Sequence, residues 1–595
     1  MCGIAGKLHW GVDENNSSVS LMLDKMVHRG PNDFGLTHLP KITLGHRRLS
    51  IIDLSSDAKQ PMQVENRYYI TFNGEIYNYL EIKEELLKSG YQFRTQSDTE
   101  VVLRAYEKWG EECLKKFNGM WAFVIWDNLK KELFAARDRF GKKPFYYQLE
   151  NGQFIFASEL TALIQDKAVS QKTSIEALNC YLAIGYIVAP LTMYEGVEKL
   201  ESAHFIKITN GGKTILKQCY WHYESFFYDK TTESEKEISE HLRHLLHESV
   251  KYRLISDVPV GAFLSGGIDS SAVVANMKQL KNDLHTFSIG FKYKSYNELS
   301  DADAMAQFLE TIHQGEEVDY ADNRMFINQS IDGFDEPLAD NSLIPMYEVS
   351  KLAAKKVTVV LSGDGADELF AGYDTYKADK YYRFATKTPK VLRRQMLLLL
   401  SKQKMDPNKK IGFNFKLRQF LNGSLHNSQK AHYMWRLFFD EKDRVNILGE
   451  QHKQLIYETD PYLRFAKYYD QCKGLNWLDQ HLFVDAKTWL TDDILVKVDR
   501  TTMQHSIEAR SPFLDKNLVE YAARIPAKFK LKGNETKYIL KEALKGVLPK
   551  ETLFKKKSGF NAPIAKWINN NELDEFKTFN KYVFNRKINY AKETV

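Results

Sequence analysis

The chain has 595 residues, 43% of them hydrophobic and 27% charged, with a net charge of +6. This length exceeds one ordinary domain of about 100–200 residues, and a charge spread so thinly calls for no nucleic-acid partner. The cysteines, Cys2, Cys113, Cys180, Cys219 and Cys472, are scattered and form no CxxC pair, which argues against a disulfide framework or zinc site and for a reducing cytoplasm.

The front carries no apolar signal run, and MLLLL at 396–400 is too short to span a bilayer, so no membrane partner is expected. No repeat or low-complexity tract is present. In chain order, strand-like runs fall at 42–54, 67–77, 120–127, 132–140, 143–149 and 153–160, with helical spacing at 80–90 and 98–110. Many strands at short spacing predict stacked antiparallel sheets flanked by helices, an α+β domain. Its expected extent is 2–195.

From 235 the rhythm changes. A helix is predicted at 235–254, then strand 258–264, helix 272–280, strand 285–291, helix 301–312, and strand, glycine loop and helix within 357–370. Strand–helix alternation predicts an α/β domain over 235–570, a parallel sheet with helices on both faces, followed by a helical extension. Residues 571–595 read as a tail.

The chain opens MCGIAG. Removal of Met1 leaves Cys2 with a thiol and a free α-amine, whose reference pKa of about 7.7–8.0 suits a general base. Position alone favours an incidental residue near a chain end. Asn73 and Gly74, in NGE, offer a side-chain amide and a backbone N–H for an oxyanion hole; Asn-Gly is also a hairpin signature. Arg48 offers a bidentate clamp for a carboxylate, or is a solvated strand charge. Asp98 offers a partner for an ammonium, or is a helix cap.

In the second half, SGGIDSS (265–271) lies between a strand and a helix. Gly266 and Gly267 let the backbone turn N–H groups into a concavity, Ser265, Ser270 and Ser271 add hydroxyls, and the helix presents its positive end: an anion site. A carboxylate beside phosphates implies a cation between them, so Asp269 points to Mg²⁺. LSGDGADELF (361–370) repeats the design, with Asp364 and Asp367 heading a helix; Asp367 is the expected second magnesium ligand, or a cap.

MCGIAG, HRGPNDFG, HRRLSIID, FNGEIYN, SDTE and RDRFGKKPFYY stand in the order seen in N-terminal-nucleophile glutamine amidotransferases, which the first 160 residues resemble. The resemblance implies that Cys2 attacks the glutamine amide, releasing ammonia and leaving a thioester, with Arg48, Leu49, Ser50, Ile51, Ile52, Asn73, Gly74, Glu75 and Asp98 binding glutamine. SGGIDSS resembles the pyrophosphate loop of ATP pyrophosphatases.

The stretches FSIGF, DEPLADNSLIP, LSGDGADELFAGY, DDILVKVDRTTMQHSIEARSPFLD, ETKYILK and FKKKSGFNAPIAKW resemble glutamine-hydrolysing asparagine synthetases. That implies ATP around Leu264, Ser265, Gly266, Gly267, Asp269, Ser270, Ser271, Ile289, Ser362 and Gly363. It makes Asp364 an acidic residue tied to acceptor and intermediate, and Lys557 a lysine that stabilises charge. Lys557 also lies in the run Lys555–Lys557, which reads equally as a solvated face.

Arg500 and Glu508–Arg510 are expected to form a buried polar network. Ala366 and Ala371 stand where relatives often have glycine. The implied activity is ATP-dependent amidation of aspartate, with other carboxylates such as sugar acids, or a non-catalytic scaffold, as alternatives. An ammonia channel between the domains and a homodimer are further expectations. The basic stretch from 376 to 420 matches nothing diagnostic.

Overall fold

The computed structural model describes residues 1–9, 17–150, 153–293, 296–319, 324–401, 413–555, 559, 562–564, 567 and 575–593. In the front domain the strands are β1 (Gly3–His9), β2 (Asp33–Leu39), β3 (Ile42–Arg48), β4 (Met62–Val64), β5 (Tyr68–Ile76), β6 (Gly119–Asp127), β7 (Glu132–Arg137), β8 (Tyr146–Glu150), β9 (Gln153–Ala157), β10 (Val197–Lys199), β11 (His204–Thr209) and β12 (Thr214–Cys219).

They form two antiparallel sheets, in the orders β10-β8-β9-β1-β3-β2 and β12-β11-β7-β6-β5-β4. The period of two turns Ile4, Leu8, Ile42 and Leu44 of one sheet toward Val124, Trp126, Leu133 and Ile206 of the other, giving a dry layer between the sheets. Helix Ser17–Lys25 covers β1 and β3, and helix Asp98–Trp109 lies against β5.

Two expectations need correction, and one strand had no reading at all: β1 starts immediately after Cys2, where the small residues of GIAGKLH hide its pattern. The front sheets run past 195: β10, β11 and β12 carry them to Cys219, and β12 is an exposed edge with little apolar signal. Residues 575–593 are not a loose tail but a docked helix. Phe579 and Val583 are buried, and the Tyr181 hydroxyl donates to the Asn580 carbonyl at 2.9 Å.

The second domain is built on a parallel sheet of β13 (Val260–Phe263), β14 (His285–Phe291), β15 (Ile312–Val318), β16 (Val359–Leu361) and β17 (Glu508–Arg510), in the order β15-β14-β13-β16-β17. The helix expected over 301–312 stops at Phe308; Glu310 turns with φ 52° and β15 begins. Chain order runs outward from β13 in one direction to β14 and β15, and in the other to β16 and β17. The crevice at the carboxyl ends of β13 and β16 is therefore a topological switch point, where open α/β sheets bind ligands. SGGIDSS follows β13 and SGDGADE follows β16. Helices from 374 to 554 form the extension.

Candidate active sites

At the front, Cys2 is buried in a setting drawn from several segments. Its backbone N–H donates to Asn73 Oδ1 at 3.0 Å, and Sγ lies 3.9 Å from the Leu49 carbonyl. Because Asn73 uses its oxygen there, its Nδ2 is left buried with no hydrogen-bond partner. A buried unpaired donor is costly and marks a place where a ligand oxygen belongs. Asn73 and Gly74 lie inside β5, so the hairpin reading does not apply.

Met1 is buried too, its ammonium 3.4 Å from Glu508 of the second domain. Burial pushes the Cys2 thiol up and the Met1 amine down, although Glu508 pulls the amine back.

Arg48 ends β3 and its guanidinium donates to the carbonyls of Ser55 (3.0 Å), Ile52 (3.5 Å) and Asp53. It therefore shapes the 49–55 loop, and its carboxylate role would use what donor capacity remains. Asp98 is not the cap of its helix; Ser97 is, accepting from the Thr99 N–H. Asp98 is buried, accepts from the Ile76 N–H at 2.9 Å, and is pushed up to about 7 by burial and by Glu508. Glu75 is raised well above the ordinary carboxylate range by burial, Glu508 and Asp98. Arg510 stands among these acids, its Nε 2.6 Å from Glu508 and its Nη2 3.9 Å from Glu75.

In the second domain a cavity of about 380 Å³ opens at the switch point. Leu264, Ser265, Gly267, Asp269, Ser270, Ile289, Ser362, Gly363, Asp364 and Asp367 line it; Gly266 and Ser271 do not. Gly266 makes the turn at φ 67°, and Ser271 Oγ is buried without a partner. Within the loop, the Ser265 N–H donates to Ser270 Oγ at 3.1 Å. No side chain caps helix Ile268–Leu280, so its first N–H groups remain for an anion. The two loops touch: a Cβ on Gly363 would lie 2.8 Å from the Asp269 backbone.

Two lysines escaped the reading of the sequence. Lys537 Nζ lies 2.5 Å from Asp269 Oδ2 and 2.6 Å from Asp367 Oδ1, joining the carboxylates expected to hold magnesium. Burial lowers its affinity for the proton, but Asp269 and Asp367 outweigh that and hold it charged. Its backbone is left-handed, φ 54°, a strained conformation for a residue with a side chain.

Lys497 lies 2.8 Å from Asp340 Oδ2 and donates to Ser342 Oγ at 2.8 Å. Asp364 accepts from Ser362 Oγ at 2.6 Å and is raised by burial, against the pull of Lys497. Nothing in ETKYILK or DDILVKVDR marks these lysines before the carboxylates they face are placed. Lys557 lies outside the described residues.

The sites are joined by two elements. Helix Leu495–Met503 turns Lys497 into the cavity and Asp499 toward the front, where Asp499 pairs with Arg29 at 2.8 Å. Arg29 Nε donates to the Cys2 carbonyl at 3.1 Å. Strand β17 carries Glu508 beside Met1, and its Arg510 carbonyl accepts from the Ser362 N–H at 3.0 Å. Arg500 binds Glu159 (2.9 Å) and Asp335 (2.6 Å), and Arg510 binds Glu508 (2.6 Å), so both arginines are buried in ion-pair clusters rather than one shared network.

A family model described as Asparagine synthase matches residues 241–578, and one described as Glutamine amidotransferase domain matches residues 1–221. The chain belongs to the asparagine synthase family. It is 36% identical over 585 residues to "Asparagine synthetase [glutamine-hydrolyzing] 1" of Bacillus subtilis, spanning 97% of this chain and 89% of that one. It is 30% identical over 590 residues to "Asparagine synthetase [glutamine-hydrolyzing] 3" of the same organism, covering 94% and 87%.

"Amidase chry2" of Gibberella zeae is 29% identical over 586 residues, 92% of this chain and 85% of that protein. Membership makes the chain a glutamine-dependent amidating ligase of a family that uses ATP. The scaffold alternative falls with it. Among the described residues no helix is long and apolar enough to cross a membrane.

Proposed function

We propose that the chain converts aspartate to asparagine through an aspartyl adenylate, with ammonia drawn from glutamine at Cys2. Removal of Met1 frees the Cys2 amine beside Asn73 Oδ1; that amine takes the thiol proton as sulfur attacks the glutamine amide. Asn73 Nδ2 and the Gly74 N–H receive the oxyanion, ammonia leaves, and water cleaves the thioester. Asp98 receives the glutamine ammonium and Arg48 its carboxylate.

In the rear cavity an acceptor carboxylate oxygen attacks the α-phosphorus of ATP and pyrophosphate leaves. Ammonia then attacks the acyl carbon and AMP leaves. Lys537 and the N-terminus of helix Ile268–Leu280 balance the phosphate charge. The all-oxygen donor set of Asp269 and Asp367 fits Mg²⁺, which would neutralise phosphate charge there when bound. The elements 495–503 and 508–510, which touch both sites, are the natural walls of an ammonia channel.

The observation that carries the choice of aspartate is Lys497 flanked by Asp340 and Asp364. Aspartate brings an ammonium and two carboxylates to this mixed charge; a sugar acid brings no ammonium for the acids to bind. The test is pyrophosphate release with aspartate and with uronic acids in parallel. Faster release with a uronic acid sinks the aspartate assignment and leaves the amidation chemistry standing. Product nitrogen from amide-labelled glutamine, formed in excess unlabelled ammonium, tests the channel: equilibration with the bulk pool disproves it.

A further inference from the structure

Helix Lys390–Ser401 packs inward through Arg393 and the half-buried Leu397 and Leu400, yet turns five more apolar side chains outward. Val391, Leu392, Met396, Leu398 and Leu399 are 42–69% exposed, while Arg393 on the opposite side is buried and donates to the Thr388 and Ser424 carbonyls. At 100° per residue these five apolar side chains fall within an arc of about 160°, interrupted only by the exposed Gln395. A solvent-facing apolar stripe of this length marks an interaction surface.

The preceding helix, Asp374–Ala385, adds charge. Between Asp374 and Ser401 stand seven lysines and arginines against two aspartates. Asp379 is buried against His432, and Asp374 is paired with Lys377 and Lys416. Beside this helix a groove of about 570 Å³ is lined by Lys380, Arg383, Phe384, Lys387, Trp477 and Lys528, and no carboxylate lines it. Like charges gathered without counter-charge favour an anionic partner. A second copy of the chain is a poor occupant, because a two-fold contact would set this basic face against itself.

We propose that helix 390–401 and the neighbouring basic groove dock the protein on an anionic phospholipid surface, the apolar stripe entering the interface and the lysines and arginines meeting the headgroup phosphates. An apolar helix face flanked by Lys390 and Arg394, with further lysines and arginines on the helix before it, fits the pattern of helices that lie in the plane of a membrane. The run at 396–400, too short to cross a bilayer, is long enough to lie on one. The expected absence of a membrane partner rested on the missing signal run and on spanning, neither of which bears on a helix lying in the interface.

The test is flotation of the full-length protein with vesicles of phosphatidylglycerol and phosphatidylcholine, against pure phosphatidylcholine. Recovery with the anionic vesicles only, lost in high salt, is expected. Leu398→Gln with Leu399→Gln, and separately Arg383→Glu with Lys387→Glu, should each weaken recovery about tenfold or more. Both should leave glutamine hydrolysis unchanged, which shows that the chain still folds. Equal recovery with neutral vesicles, or recovery indifferent to both double substitutions, overturns the proposal. So does retention on a soluble polyuronate without vesicle binding, or a dimer that the leucine substitutions dissolve.

Discussion

The front site and the rear site are closed in different ways. The rear one is a cavity whose floor comes from two short loops, each contiguous in sequence and each hung on the end of a strand. The front one has no such floor: Cys2, Arg29, Arg48, Asn73 and Asp98 come from separate segments, and Glu508 and Asp499 of the other domain complete it. A loop site depends on its own strand and helix. A site shared between domains depends on buried charges that balance only when both domains are present.

The sharpest way to break the comparison is to silence each site alone. Cys2→Ala should abolish glutamate release from glutamine while ammonia-driven amidation continues. Lys537→Met should leave glutamate release intact and lower pyrophosphate release by about 10²-fold or more, since it removes the cation between Asp269 and Asp367. Parallel assays of glutamate and pyrophosphate check both; loss of glutamate release in Lys537→Met would mean the sites are less separate than their geometry.

Next in size is the link itself. Asp499→Asn leaves Arg29 with Glu159 and the Cys2 carbonyl but without its bidentate partner. A buried charge left with no counter-charge costs about 3–5 kcal/mol, and the remaining pair with Glu159 keeps the loss here below that range. Thermal unfolding should shift down accordingly, and glutamate release should suffer although Asp499 lies in the rear domain. Unchanged stability and activity would reduce the pair to a bystander.

How much of this was legible follows the same division. SGGIDSS and SGDGADE announced themselves because glycine, serine and aspartate between an apolar strand and a helix have few other uses. MCG became readable only with the segments that follow it. Lys497 and Lys537 were invisible, because a lysine's meaning lies in the carboxylates it meets, here 157 and 268 positions away in sequence. Of the strands past residue 195, β12 was missed for another reason: it is exposed along nearly its whole length and carries no burial pattern to read.

A smaller effect concerns pH. Asp98, held near 7 by burial, is largely neutral below that value and must ionise to hold the glutamine ammonium. KM for glutamine should therefore fall as pH rises toward 8, and Asp98→Asn should raise KM and remove the dependence. The sign for stability is the reverse. A carboxyl whose folded pKa is raised from 3.8 binds protons more tightly in the native state, so its contribution declines as pH climbs from about 4 to about 7 and is level beyond. Glutamine KM measured from pH 6 to 8.5 decides it; a flat profile in the parent protein would remove Asp98 from ammonium binding.

The smallest predicted effect lies in the loop that was easiest to read. Ala371 ends the short helix Ala366–Phe370 in a left-handed conformation, φ 57° and ψ 52°. A Cβ there crowds the following carbonyl oxygen, which is why glycine is the usual residue at such a helix end. Ala371→Gly relieves about 1–2 kcal/mol of that strain, and gives part of it back through the greater freedom of glycine in the unfolded chain. A net gain of about 0.5–1 kcal/mol should appear as a higher denaturation midpoint at unchanged slope. Pyrophosphate release should stay the same, because the strain sits beside Asp367 rather than in it. If the substitution instead slowed pyrophosphate release, the left-handed alanine would be holding the Asp367 helix in place, and the rear loops would depend on more than the strands that carry them.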